Sequence, residues 1–201
     1  MPTAEVSRYN AAWGICGFTS ALTHLYDSDE RLKAKIDAGD EDKIKLGLLT
    51  EVVTFLKYVT AAREDLIEDL EKLNQALDSK AFNGGVAGFI KLAEKAVRLE
   101  VPIKDGIKNL FQCALTPEAL TLYLQEMCVY KNATLTMGAD PGGCGILGLY
   151  LGKELKHWVY RDAKGNVYNW GSIIKPGEWK THAAGLGNKQ FDHVGCHISF
   201  G

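Results

Sequence analysis

An α+β fold is what this chain predicts, on three observations. Apolar residues recur at three- and four-residue steps from Cys16 to about Leu99 and again after Thr116, the period of helices that bury one face. Past Lys131 they fall instead into short runs punctuated by Gly, Asp and Pro, the texture of strands and turns. The order, helices first and strands later, suggests an antiparallel sheet packed against a helical lobe. With 201 residues the chain is long enough for one sizeable core, burying roughly 70% of its extended surface. The expectation is a single domain over 1–201, with 1–130 mainly helical and 131–201 forming the sheet lobe.

The elements follow in chain order. Phe18, Ala21, Leu22 and Leu25 outline a first amphipathic helix. Leu49, Val52, Val53, Leu56 and Val59 share one stripe of a second, and Leu66, Leu70, Leu73 and Leu77 mark a third with Glu and Lys opposite. Asn83, Gly84 and Gly85 break the pattern before Val86, Phe89, Ile90, Ala93 and Val97 resume it. A further helix opens at Thr116, an N-cap residue followed by Pro117 in the first helical position and Glu118 in the first turn, where the helix dipole favours an acid. That makes about five helices. Thr134, Thr136, Ile146, Leu149, Val159, Val167, Ile173 and Ile198 then sit in strand-like runs.

Composition narrows the functional classes. There are 23 basic and 25 acidic side chains, a net charge of -2, and no cluster of Lys or Arg, which argues against nucleic acid as a partner. No apolar run has the length of a membrane span, and the first ten residues lack the basic start and apolar stretch of a signal peptide. The expected location is the cytoplasm; a protein delivered into a host cell by a specialised secretion system would lack a cleavable signal equally. The five cysteines, Cys16, Cys113, Cys128, Cys144 and Cys196, are an odd, scattered set with no CxxC pair, so reduced thiols are expected and no cofactor or metal is implied. Oligomeric state is not set by these features.

The chemistry centres on Cys16, which stands between Gly14 and Gly17 at the start of an amphipathic helix. A thiol there feels the positive end of the helix dipole, which favours the nucleophilic thiolate, while the glycines leave the backbone open to a substrate. On the segment alone, a small apolar residue in a tight turn is an equal reading. A nucleophile needs a base, and the histidines are His24, His157, His182, His193 and His197. His24 lies along the same helix as Cys16 and is expected to pack. His157 opens a run to Gly171 that reads as a β-hairpin. Asp162 suits the first position of a type I turn and Gly165 the left-handed position of a three-residue loop, which pairs Asp162 with Asn166. Counting outward, Val159 faces Asn169, and His157 lies diagonal to Asn169 on the same face. A carboxamide oxygen accepting from one ring nitrogen fixes the tautomer and leaves the other for a thiol. A two-residue Lys164-Gly165 turn would swap these faces.

This set resembles the papain-like cysteine proteases, which share the chain order Cys, His, Asn and a nucleophile opening a helix near the N-terminus. Gly14-Ile15-Cys16 is similar to their Gly-x-Cys, and Asn169-Trp170-Gly171 to their Asn-Ser-Trp-Gly. Asn10 stands six residues before the cysteine, where the superfamily has a Gln that donates to the oxyanion. The resemblance implies a papain-like fold, a triad of Cys16, His157 and Asn169, an oxyanion hole at Asn10, and Trp170 shielding the His157 to Asn169 hydrogen bond. The long helical insert between Cys and His looks like YopT-type bacterial effector proteases and the related effector glutamine deamidases. Both usually place Asp third, where this chain has Asn169, so Asp162 or Asp192 are other candidates to orient the imidazole. The implied function is hydrolysis of an amide in a protein substrate through a thioester; the alternatives are deamidation or transamidation of a Gln, and a non-catalytic helical interaction module.

The other reactive residues read as structure. Cys144 lies in the turn-like Asp140-Pro-Gly-Gly-Cys144, Cys113 and Cys128 sit among apolar residues including Leu110, Leu120 and Leu124, and His182 is in a polar loop. His193 and His197, four apart on a strand, are about 13 Å distant, too far for one metal ion.

Overall fold

The computed structural model describes residues 6–9, 14–98, 111–176, 178 and 191–201. Among these, six α-helices precede six strands, the expected α+β order. The helices are α1 (Cys16–Ser28), α2 (Glu30–Ala38), α3 (Glu41–Ala62), α4 (Ile67–Ala76), α5 (Gly85–Arg98) and α6 (Pro117–Glu126). Their starts follow capping chemistry. Asp40 accepts from the Lys43 amide at 2.8 Å ahead of α3, whose first turn carries Glu41 and Asp42. Thr116 accepts from the Ala119 amide at 3.2 Å ahead of α6, with Pro117 next in line. α2 is the helix the apolar pattern did not predict. Of its nine residues only Leu32 and Ile36 are large and apolar, and it enters through Asp29, whose carboxylate accepts from the Arg31 amide at 2.8 Å.

The strands are β1 (Thr134–Met137), β2 (Gly145–Leu151), β3 (Glu154–Arg161), β4 (Val167–Asn169), β5 (Ser172–Ile174) and β6 (His193–Ser199). They form one sheet in the order β1-β6-β2-β3-β4-β5, every neighbouring pair antiparallel. The last strand therefore lies inside the sheet, between β1 and β2. Successive side chains alternate between its faces. One face carries Ile146, Trp158, Cys196 and Ile198 into the main core with α1, α3, α5 and α6. The other gathers Leu147, Leu149, Val159, Val167, Ile174 and Val194 into a separate apolar cluster. No helix among the described residues is long and apolar enough to cross a membrane.

Two local features place the site. The β3-β4 hairpin has a three-residue loop: Gly165, at φ +83°, donates to the Asp162 carbonyl at 3.0 Å, and the Asp162 amide donates to Asn166 at 3.0 Å. This is the register in which His157 and Asn169 share a face. Second, β2 and β3 slip by one residue where Leu149 faces His157 but Tyr150 faces Leu155. Lys156 is the extra residue of a bulge, and His157 is the last β3 residue in the register that runs on to Arg161.

Candidate active site

Cys16 is the first residue of α1, and α1 packs along β3. The placement follows from strand geometry. Alternate residues of a strand direct their N–H groups to the same side. Asp162 sends its N–H toward β4, so Trp158 does too. The β3-β4 ladder covers Tyr160 with Tyr168 and Arg161 with Val167, which leaves the Trp158 N–H beyond the last pair. It lies near enough to the Cys16 sulfur to pull the thiol's pKa down. The thiol thus docks at the peptide unit that joins His157 to Trp158.

Cys16 is 7% exposed, and burial pushes its thiol up to about 11 even though the amides of Trp158, Gly17 and Cys16 itself all pull it down. The helix terminus does favour the thiolate, as the sequence predicts, but loss of water outweighs it. The resting group is a neutral thiol.

His157 and Asn169 meet directly, with imidazole Nε2 2.7 Å from the carboxamide Oδ1. The oxygen accepts, so Nε2 carries the proton and Nδ1 is the nitrogen left over. Both residues are buried, and burial holds the imidazole down at about 4 against the upward pull of Asn169. Thiol and imidazole are therefore each neutral at neutral pH.

Aromatic rings flank the imidazole. The Trp170 ring lies 4.9 Å from it at 32°, and the Phe191 ring 6.2 Å away at 17°. Trp170 occupies the first of two positive-φ positions, +46° followed by +82° at Gly171, in the tight turn where Asn169 pairs with Ser172. This conformation suits Asn or Gly far better than Trp, so the turn holds local strain beside the imidazole. The Gly171 amide donates to the Ser7 hydroxyl at 2.8 Å, which ties the turn to the N-terminal segment.

The glycines serve a different purpose from the one expected. A Cβ on Gly14, which sits at φ +63°, would be 2.9 Å from Gln112 Cγ, and one on Gly17 would be 3.3 Å from Leu115 Cδ1. They make room for the chain's own segment 112–115 rather than for a substrate. That segment is pinned in place by buried Asn74, whose side chain donates to the Ala114 carbonyl at 2.9 Å and accepts from the Ala114 amide at 2.8 Å. Ser79 donates to the Gln112 carbonyl at 2.8 Å, and the Trp158 indole to the Leu115 carbonyl at 2.9 Å. Neither this support nor Phe191 has a local sequence signal; both depend on contacts between distant parts of the chain.

The remaining candidates separate cleanly. Asn10 and His182 lie outside the described residues. Asp162 is engaged in its own loop, accepting from the Lys164 and Asn166 amides and from the Tyr168 hydroxyl. Asp192 is exposed and pairs with His193. Neither therefore orients His157; Asn169 does. His24 packs, stacked on Phe200 at 3.6 Å with Nδ1 3.2 Å from the Tyr160 hydroxyl. Cys113, Cys128 and Cys196 are buried, and Cys144 is half-buried against the Tyr160 hydroxyl at 3.7 Å. Among the described residues no group of three or more His, Cys, Asp or Glu side chains could hold a metal ion.

These contacts join the His157 imidazole to the Asn169 carboxamide and to two aromatic rings, with the Cys16 thiol buried at the start of the helix that packs along the same strand. That set can attack an electrophilic carbonyl and move one proton. No family model matches the chain, no curated protein matches it, and no solved structure matches it.

Proposed function

We propose that the protein is a papain-like thiol hydrolase that cleaves an amide bond in a protein substrate. One observation carries the reading: His157 Nε2 is 2.7 Å from Asn169 Oδ1, and the backbone N–H of the very next residue, Trp158, lowers the pKa of the Cys16 thiol. Cys16 Sγ attacks the carbonyl carbon as its proton passes to His157 Nδ1. The C–N bond then breaks, the amine leaves with that proton, and a thioester remains. Water, giving a proton to the same nitrogen, adds to the thioester; the C–S bond then breaks, the acid leaves, and that proton returns to Cys16 Sγ. Asn169 keeps the ring oriented through both steps and supports the charge it gains. The backbone N–H of Cys16 and the Asn10 carboxamide are the oxyanion donors this reading assigns, about 3 kcal/mol each in comparable enzymes.

Because thiol and imidazole are both neutral at rest, proton transfer accompanies attack rather than preceding it. A general base of this kind contributes about 10²- to 10⁴-fold. The chemistry up to the thioester is the same for a Gln side chain, where ammonia leaves and the product is Glu.

The test is incubation with an unfolded protein mixture, followed by mass spectrometry of new termini. New termini that disappear with Cys16→Ala support proteolysis. Deamidated Gln without new termini assigns the deamidase, and no product from either route assigns the interaction module.

A further inference from the structure

Helix α1 has a second working face. At 100° per residue, Phe18, Leu22 and Leu25 lie on the side of the helix away from Cys16. With Ile44, Leu48 and Met127 they line a cavity of about 530 Å³ among α1, α2, α3 and the end of α6. Small-molecule pockets run from roughly 300 to 1,000 Å³.

Gly47 belongs to its wall, inside α3, where glycine weakens a helix relative to alanine. A Cβ built on Gly47 meets nothing within 4 Å, so packing does not require glycine there. Gly47 is exposed, and the space beside it is open.

Two charged side chains reach the wall, Lys43 and Glu51. Lys43 is already paired with Asp40 at 3.2 Å. Glu51 has no cationic partner among the described residues; its Oε1 accepts from the buried Tyr123 hydroxyl at 3.2 Å. The unopposed charge of the cavity is therefore negative, and Asp40, Glu41 and Asp42 adjoin Lys43 in the chain.

We propose that this cavity binds a small amphiphilic amine, its apolar body among Phe18, Leu22, Leu25 and Leu48 and its protonated nitrogen on Glu51. The sign of the charge selects a cation over a fatty-acid-like anion of the same length. The proposal is independent of the amide chemistry at Cys16.

The experiment is calorimetric titration of the protein with dodecylamine, dodecanol and dodecanoate, each below its micellar concentration at neutral pH. The expected result is one amine per chain, bound about tenfold or more tighter than either the alcohol or the acid, a difference of about 1.4 kcal/mol. Glu51→Gln, which keeps an acceptor for Tyr123, should bring the three ligands to within about threefold of one another. Gly47→Phe should weaken all three by about tenfold or more, whereas Gly47→Ala should leave them nearly unchanged. Equal binding of amine and acid, a preference that survives Glu51→Gln, many amines per chain, or indifference to Gly47→Phe would each overturn the proposal.

Discussion

A buried neutral imidazole makes the protein acid-sensitive, and the size of the effect follows from the site. His157 is 6% exposed, and burial lowers it from the ordinary 6.5 to about 4. The unfolded chain therefore binds a proton below 6.5 that the native site refuses until about 4. Stability is full above that window, falls as pH drops through it, and levels off beneath it. The whole window amounts to about 3 kcal/mol, and the interval from pH 7 to pH 5 to about 2 kcal/mol. Urea unfolding followed by tryptophan fluorescence at those two pH values measures it. His157→Gln lowers stability at both pH values through lost packing, so the informative quantity is the difference between them. The variant should lose about 2 kcal/mol less than wild type on acidification. His24, also lowered to about 4 by burial, remains in both proteins and cancels. An identical acid-induced loss in the two proteins would refute the placement of His157 as a buried, neutral group.

Three further outcomes follow from the contacts around it. Asn169→Ala strands a buried imidazole N–H and should cost about 1–3 kcal/mol in urea unfolding, with slower alkylation of Cys16 at pH 7; unchanged alkylation would separate Asn169 from the thiol. Trp170→Gly relieves a non-glycine residue at φ +46° while removing the ring against His157. Two opposing effects of about 1 kcal/mol each should leave the melting temperature nearly unchanged, while Cys16 alkylation slows. Asn74→Ala removes both partners of the Ala114 peptide groups in a buried setting, and a loss of about 3 kcal/mol or more is expected on chemical denaturation.

Local pattern made some of this legible and long-range contact hid the rest. The Thr116 cap, the switch from helix to strand after Lys131 and the hairpin register all depend on residues a few positions apart, and the structure has each of them. Because side chains alternate along a strand, the loop length alone placed His157 and Asn169 on one face. α2 escaped because its apolar stripe is too thin to stand out from charged neighbours. The position of β6 between β1 and β2 has no local signature at all. The same limit applied to Cys16, where a helix terminus favouring thiolate could be read but its burial could not. It applied to Gly14 and Gly17, whose neighbours Gln112 and Leu115 come from almost a hundred residues away.

Activation of the Cys16 thiol by His157, as proposed above, would show in the order in which the cysteines are alkylated. By exposure alone, half-buried Cys144 should react before the four buried cysteines. A brief iodoacetamide pulse at pH 7, with each cysteine peptide quantified by mass spectrometry in wild type and His157→Ala, sets the two orders against each other. Cys16 should be modified first in wild type and slowed by about 10²-fold or more in the variant, with Cys144 unaffected. Cys144 modified first in both proteins, with Cys16 equally slow in each, would contradict it.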